Sequence, residues 1–273
     1  MSIHIVTKVD KVKTPRRSTK YSAGYDVFSN KEIKVLAGQE VSVVLPAGID
    51  FNPQEHTVYI FLRSSMGINN HLRLVKDNEI VPYLELEYEQ PNKQQFVTLR
   101  NVGKDDFVIE EGLHYLQYVI VDKKLSYLPF SVHPVDDLKG KTPVAVSIKE
   151  TKTGVTFILE EEVTIPKGQS TKIASGYKVK IELDSFLLGA VPTEEKRFSY
   201  SNGVCVGDAD FYLADGHYLF SLDNLTDRDL VLEKGTTFVE LKSIPYYKAD
   251  NEIVPTEERK GGIGSTTGEK KGC

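Results

Sequence analysis

Arg63, Ser64, Ser65 and Gly67 stand within five residues of one another in the stretch FLRSSMGINN. A forked cation, two rotatable hydroxyls and a glycine that leaves backbone N–H groups open form a set suited to phosphate oxygens. The same letters also read as a serine-rich turn with a surface arginine. Upstream, SAGYDVF puts Asp26 on a strand two residues after Gly24. Downstream, SNGVCVGDADFY carries Asp208 and Asp210, which on a strand point the same way. Two carboxylates on one face are costly to bury unless a metal, a water or a substrate uses one of them; a solvent-facing acidic edge is the alternative. Asn202–Gly203 just before them is a hairpin signal, and a tight turn there exposes backbone groups able to read the edge of a flat ligand. The chain closes on ERKGGIGSTTGEKKGC, which by composition is a solvated tail. Its glycines, hydroxyls and Arg259 equally suit a flap that meets an anion, although no P-loop is present, because no Gly-Lys-Ser/Thr follows at the required spacing.

These groups need strands to hold them. EVSVVLPAGIDF, TVYIFLRS, QFVTLRNV, EVTIPKG and KVKIEL are short, alternating and rich in β-branched or aromatic residues, with Gly, Pro, Asn or Asp between them, so the fold is expected to be all-β. The same unit is written twice. NVGKDDFVIEEG (101–112) and NLTDRDLVLEKG (224–235) share Asn, Asp, Val, Glu and Gly at a fixed offset, and Gly24, Gly38 and Gln39 meet Gly154, Gly168 and Gln169 at a second one. The spacing predicts a β domain over 1–122 and a linker over 123–150, where prolines and charges collect. A second β domain follows over 151–248, with a flexible glycine-rich arm over 249–273.

At 273 residues, 40 % hydrophobic, the chain has ample core for two such units. A net charge of −5, with basic residues scattered, argues against nucleic acid as a partner. No apolar run is long enough for a membrane span and the N-terminal stretch lacks a signal pattern, which points to a soluble, cytoplasmic protein. Two cysteines, Cys205 and Cys273, and six dispersed histidines supply neither a disulfide framework nor a zinc site.

Taken together, the motifs resemble those of the dUTPase (deoxyuridine triphosphate nucleotidohydrolase) family, over about Tyr21 to Gly268. The family's A-G-Y-D is met by Ala23–Asp26, its R-S string by Arg63–Gly67, its N-G…D-x-D-Y by Asn202–Phe211, its G-x-x-x-x-Q by Gly112–Gln117, and its C-terminal R-x-G-G-F-G-S-T-G by Arg259–Gly268. In plan the chain is similar to the tandem, monomeric herpesvirus-type members, with motifs one, two and four in the first copy and three and five in the second. The resemblance implies two dUTPase-like β-barrel or jelly-roll domains, one composite site and a monomer. A viral or phage source would fit it, with host cytoplasm or nucleus as the location.

The activity so implied is hydrolysis of dUTP to dUMP and pyrophosphate by water attack at the α-phosphorus. Asp208 would activate the water. Mg2+ would bridge the phosphates, with no direct side-chain ligand, Asp26 and Gln117 contacting its waters. Arg63, Ser64, Ser65 and Gly67 would hold phosphate oxygens. Main-chain groups of Asn202, Gly203 and Val204 would read uracil and Phe211 would pack on the sugar. Arg259, Gly262, Ile263, Gly264, Ser265 and Thr266 would close over the triphosphate, Arg259 at the γ-phosphate. Three positions depart from the family pattern: Phe211 replaces tyrosine, Ile263 an aromatic ring, and His114 the arginine of motif four. Two other readings stand beside this one. A dCTP deaminase or another deoxynucleotide triphosphatase would share the fold and the Arg-Ser-Ser string, but the deaminases lack the glycine-rich fifth motif. A non-catalytic nucleotide-binding regulator would have no use for Asp208.

Overall fold

The computed structural model describes residues 2–86, 88, 94–135, 141–213 and 217–259. The first half runs β1 (His4–Thr7), β2 (Arg16–Arg17), β3 (Tyr25–Phe28), β4 (Ile33–Val35), β5 (Glu40–Val44), β6 (Ala47–Asp50), β7 (His56–Leu62), α1 (Ser64–Ile68), β8 (Leu72–Lys76), β9 (Glu79–Val81), β10 (Leu84–Glu85), β11 (Phe96–Asn101), β12 (Phe107–Ile109) and β13 (His114–Asp122). The second runs β14 (Ser131–Pro134), β15 (Val146–Glu150), β16 (Val155–Leu159), β17 (Val163–Ile165), β18 (Ser170–Ala174), β19 (Tyr177–Lys180), β20 (Ser185–Ala190), β21 (Phe198–Tyr200), β22 (Cys205–Asp208), α2 (Asp210–Leu213), β23 (Leu219–Asn224), β24 (Leu230–Leu232) and β25 (Thr237–Pro245). Among the described residues no helix is long and apolar enough to cross a membrane.

The halves match strand for strand. β4, β5 and β6 recur 130 residues on as β17, β18 and β19, and β11, β12 and β13 recur 123 residues on as β23, β24 and β25. Sheet orders repeat too: β10-β7-β13-β3-β2 in the first half and β22-β20-β25-β16-β15 in the second. Alternation explains the strands, since β4, β17 and β24 each bury their outer two side chains and expose the middle one. The turns are copied at atomic detail. Asn101 Nδ2 donates to the carbonyls of Val35 (3.0 Å) and Asp105 (2.8 Å), and Asn224 Nδ2 to those of Ile165 (2.8 Å) and Arg228 (2.7 Å). Gly112 and Gly235, which end the shared motif, have φ of 80° and 92°, a region open to glycine at little cost.

The stretch 123–150, read from sequence as a linker, instead supplies β14 and β15, which pair with β19 and β16 as β1 and β2 pair with β6 and β3. Its prolines and charges sit around two short strands that still fill their places in the second half. Likewise, residues of the expected arm between Ala249 and Glu257 are bonded to the first half and Arg259 to the second; within the arm, 260–273 lie outside the described residues.

Each half has its own core, one built around Tyr25, Tyr115, Tyr118 and Leu99, the other around Phe157, Phe220, Phe238 and Leu222. A third cluster lies between them: Ala23, Tyr59, Phe61, Val119 and Val121 pack against Phe186, Val204, Ile244 and Tyr246. The two five-stranded sheets thus bury the opposing faces of β7–β13 and β20–β25, and the seam where they meet positions the site.

Candidate active site

One cavity at this seam is lined by Asp26, Arg63, Ser64, Ser65 and Gln117 from the first half, Asn202, Asp208 and Phe211 from the second, and Arg259 from the C-terminal segment. β3 presents Asp26 directly across from Gln117 of β13. Gly24, two residues earlier, leaves room for the Gln117 amide, which a Cβ there would displace. β7 ends at Arg63, whose backbone is extended (φ −65°, ψ 144°) before the chain turns into α1, so Ser64 and Ser65 open a short helix beside the guanidinium.

Arg63 ion-pairs with Asp26, which also accepts from Ser18 Oγ, and the His114 Nδ1 lies 3.4 Å from the same carboxylate. Burial works against the Asp26 charge, yet the His114 hydrogen bond, the Arg63 charge and the Ser18 hydroxyl hold its carboxyl below the usual range. His114 stacks on Phe28 with ring centroids 5.8 Å apart.

Asp208 closes β22 and Asp210 opens α2, so the two do not share a strand; a strand-to-helix turn, and not the alternation read from sequence, brings them to one side. Asp208 Oδ1 accepts from the Ala23 N–H (3.0 Å) and Oδ2 from Arg259 Nη2 (2.5 Å). Asp210 accepts from Arg259 Nε (2.7 Å) and Thr19 Oγ1 (2.6 Å). Burial pushes the Asp208 carboxyl up, and the charges of Asp210 and Asp26 add to the push; Arg259 and the Ala23 N–H oppose it without cancelling it.

Three expected contact residues lie elsewhere. Gly67 does not line the cavity: its open face is filled by the Ser201 carbonyl and Asn202, so it is glycine for the approach of α1 to the second half's hairpin. Gly203, at φ 88°, packs on the Pro82 backbone, and Val204 is buried between the halves. Gly262, Ile263, Gly264, Ser265 and Thr266 fall outside the described residues. Conversely, the cavity wall includes Ser18, Tyr200, Cys205, Tyr218 and Ser221, which sequence reasoning did not select. Tyr200, Tyr218 and Ser221 look like core positions of alternating strands, and nothing in their local pattern separates wall from core. Cys205 is pushed up to about 12 by burial and behaves as an apolar wall.

A duplicated all-β fold with arginines and carboxylates converging at the seam between its copies defines a composite site for an anionic ligand. A family model, dUTPase, matches residues 10–152, and the chain belongs to the dUTPase family. The deoxyuridine 5'-triphosphate nucleotidohydrolase of Lactococcus lactis is 31 % identical over 43 % of this chain and 83 % of its own length. That of Rickettsia bellii is 33 % identical over 40 % and 69 %. Among solved structures, 2'-deoxycytidine 5'-triphosphate deaminase from Agrobacterium tumefaciens covers 94 % of this chain and 99 % of its own at 10 % identity and TM-score 0.61. That likeness concerns the fold, and it spans both halves, whereas the family match lies chiefly on the first.

Proposed function

We propose that this chain hydrolyses dUTP to dUMP and pyrophosphate in a single site built from both copies. The observation that carries the reading is the convergence of Asp26, Arg63, Ser64, Ser65 and Gln117 with Asp208 and Phe211 on one cavity. Asp208 orients the attacking water and takes its proton; its raised carboxyl pKa makes it a better base than an exposed aspartate, as long as it is ionised. Arg63 and the two serine hydroxyls hold phosphate oxygens and meet the charge that develops on them. Phe211, 6 % exposed and packed on Tyr218 at 5.0 Å, offers a ring face to the sugar.

Mg2+ fits the donor set. Asp26 and Gln117 put two hard oxygens side by side across β3 and β13, while the described residues contain no group of three His, Cys, Asp or Glu that would cage a metal directly. The ion would be held by the substrate's phosphates and waters, with Asp26 and Gln117 on those waters, and when bound it supplies charge neutralisation on the triphosphate. Deamination of dCTP is less well supported, because the deaminases lack the glycine-rich fifth motif that this sequence carries at Arg259–Gly268. Incubation of the purified chain with Mg2+ and dUTP, dCTP, dTTP or UTP should release pyrophosphate from dUTP at least tenfold faster than from the others, and no ammonia. Ammonia from dCTP, or no turnover of any nucleotide, overturns the reading.

A further inference from the structure

We infer that Arg73 and Asp223, an ion pair outside the active cavity, are positioning residues that set the spacing between the phosphate side of the site and Asp208. The inference rests on the reading of Asp208 as the base and of α1 as the carrier of phosphate-binding hydroxyls. Neither Arg73 nor Asp223 lines that cavity, and both are buried where the halves meet.

The pair holds one piece of each half. On the first-half side, Arg73 Nη1 donates to the Gly67 carbonyl (2.8 Å) and to that of Leu72 (2.8 Å), so the guanidinium grips the end of α1, the helix that Ser64 and Ser65 open. On the second-half side, Arg73 Nε donates to Asp223 Oδ2 (2.9 Å) and Nη2 joins it there. Oδ1 of the same carboxylate accepts from Ser201 Oγ (2.6 Å) and Ser170 Oγ (2.6 Å). Ser201 begins the turn between β21 and β22, the hairpin that ends on Asp208, and its N–H donates to the Ser221 carbonyl (2.9 Å). α1 and this turn also touch directly. A Cβ on Gly67 would lie 2.4 Å from the Ser201 carbonyl oxygen and 2.5 Å from Asn202 Cα, so backbone meets backbone with no side chain between to absorb a shift.

The duplicated strands carry different charges at this level. In the first half, Arg100 of β11 stands opposite Glu40 of β5 and pairs with it; the matching register in the second half puts Asp223 of β23 opposite Ser170 of β18. Arg73 of β8 stands on the other side of Arg100, and in that place beside Asp223 is Ser199 of β21. Asp223 therefore faces a serine on each side within its own sheet and takes its cation from the other half. A buried pair of this kind is often no more stabilising than apolar residues of the same volume. What the fork adds is direction, because it fixes the Gly67 carbonyl and the Ser201 turn relative to one carboxylate. A slip of about 1 Å between the α-phosphorus and the water on Asp208 is enough to lower the rate about 10²-fold.

The test uses the intact chain carrying Arg73→Met together with Asp223→Leu, Arg73→Lys alone, or Gly67→Ala, which wedges α1 away from the turn without removing a charge. Three quantities are read well below each melting temperature: amide hydrogen exchange, kcat with dUTP, and affinity for dUMP. The apolar double variant should fold, because both charges leave together. Its exchange should quicken at least about tenfold over 64–70 and 201–208 and stay unchanged in the two cores. Its kcat should fall by about 10², while affinity for dUMP changes less than about threefold. Gly67→Ala should show the same split, and Arg73→Lys, which keeps the charge without the fork, should lie between the parent and the double variant. A folded double variant with the parent's exchange and kcat overturns the inference. So does a loss of dUMP binding in step with kcat, which is the mark of a cavity loosened as a whole. Should the double variant not fold, Gly67→Ala decides by the same criteria. If the parent chain itself does not hydrolyse dUTP, the proposed function falls, and the exchange pattern still decides whether the pair joins α1 to the turn.

Discussion

At the scale of single residues, Asp208 is held where function and stability pull apart. Burial raises its carboxyl above the ordinary aspartate value. A group whose folded pKa lies above the unfolded one binds protons preferentially in the folded state. Its contribution to stability is fully present below the unfolded pKa, near 4, and is lost as pH rises through the folded value. At neutral pH Asp208 thus works against the fold. Asp208→Asn should lower turnover by about 10² to 10⁴, the range for loss of a general base, and raise the melting temperature at pH 7. Calorimetry at pH 7 and pH 4 checks the second part: the gain should shrink at the lower pH. An equally stable variant that retains a third of normal turnover would assign the water to another group, Asp210 first.

At the scale of elements, the residues of the candidate site are legible in the sequence where a motif is local, and illegible where a contact spans the chain. Asp26, Arg63 and Asp208 announce themselves by type and spacing. The repeat at offsets 123 and 130 gave away the duplicated strands, because turn glycines and asparagines have backbone jobs that tolerate few substitutes. Gly67 looked like a phosphate-approach glycine, but its neighbour is Asn202, far along the chain and in the other half. The start of the arm expected over 249–273 read as flexible because composition reports that a segment lacks core residues and says nothing of single anchors such as Glu252. That anchor carries its own prediction. Burial disfavours the Glu252 charge, but Arg17 and the Tyr25 hydroxyl bring its carboxyl below the usual range, so its stabilisation is present above about pH 4.3 and is lost as pH falls through the folded value. Glu252→Gln leaves the buried Arg17 guanidinium without its partner, which costs about 3–5 kcal/mol. The melting temperature should fall at pH 7, and the gap to the parent chain should narrow below pH 4. Turnover should fall as well, since the segment carrying Arg259 loses its hold on Tyr25 and Arg17. A gap of the same size at both pH values would mean that the glutamate matters for packing and not for charge.

At the scale of the whole molecule, duplication explains why one chain should carry one site. Asp26 faces Gln117 across β3 and β13; the equivalent positions in the second half, Thr156 and Glu240 across β16 and β25, keep the pairing and lose the carboxylate at the first position. Glu240 is turned to Lys242 in an ion pair (3.6 Å). At the sheet edge, β22 delivers Asp208 next to β20 in the place that β10 takes next to β7 in the first half. The buried Arg73–Asp223 ion pair, reinforced by Ser170 and Ser201, ties the halves together away from the cavity. A site completed within one chain needs no second copy, so light scattering should give the mass of a single chain and titration calorimetry one nucleotide per chain. Complementation asks the same question of the chemistry. Asp26→Asn and Asp208→Asn chains, each inactive, should remain inactive when refolded together, because each cavity draws both aspartates from its own chain. Recovery of turnover in the mixture would mean that the second half of one chain completes the first half of another, and the seam described here would then be an interface between subunits.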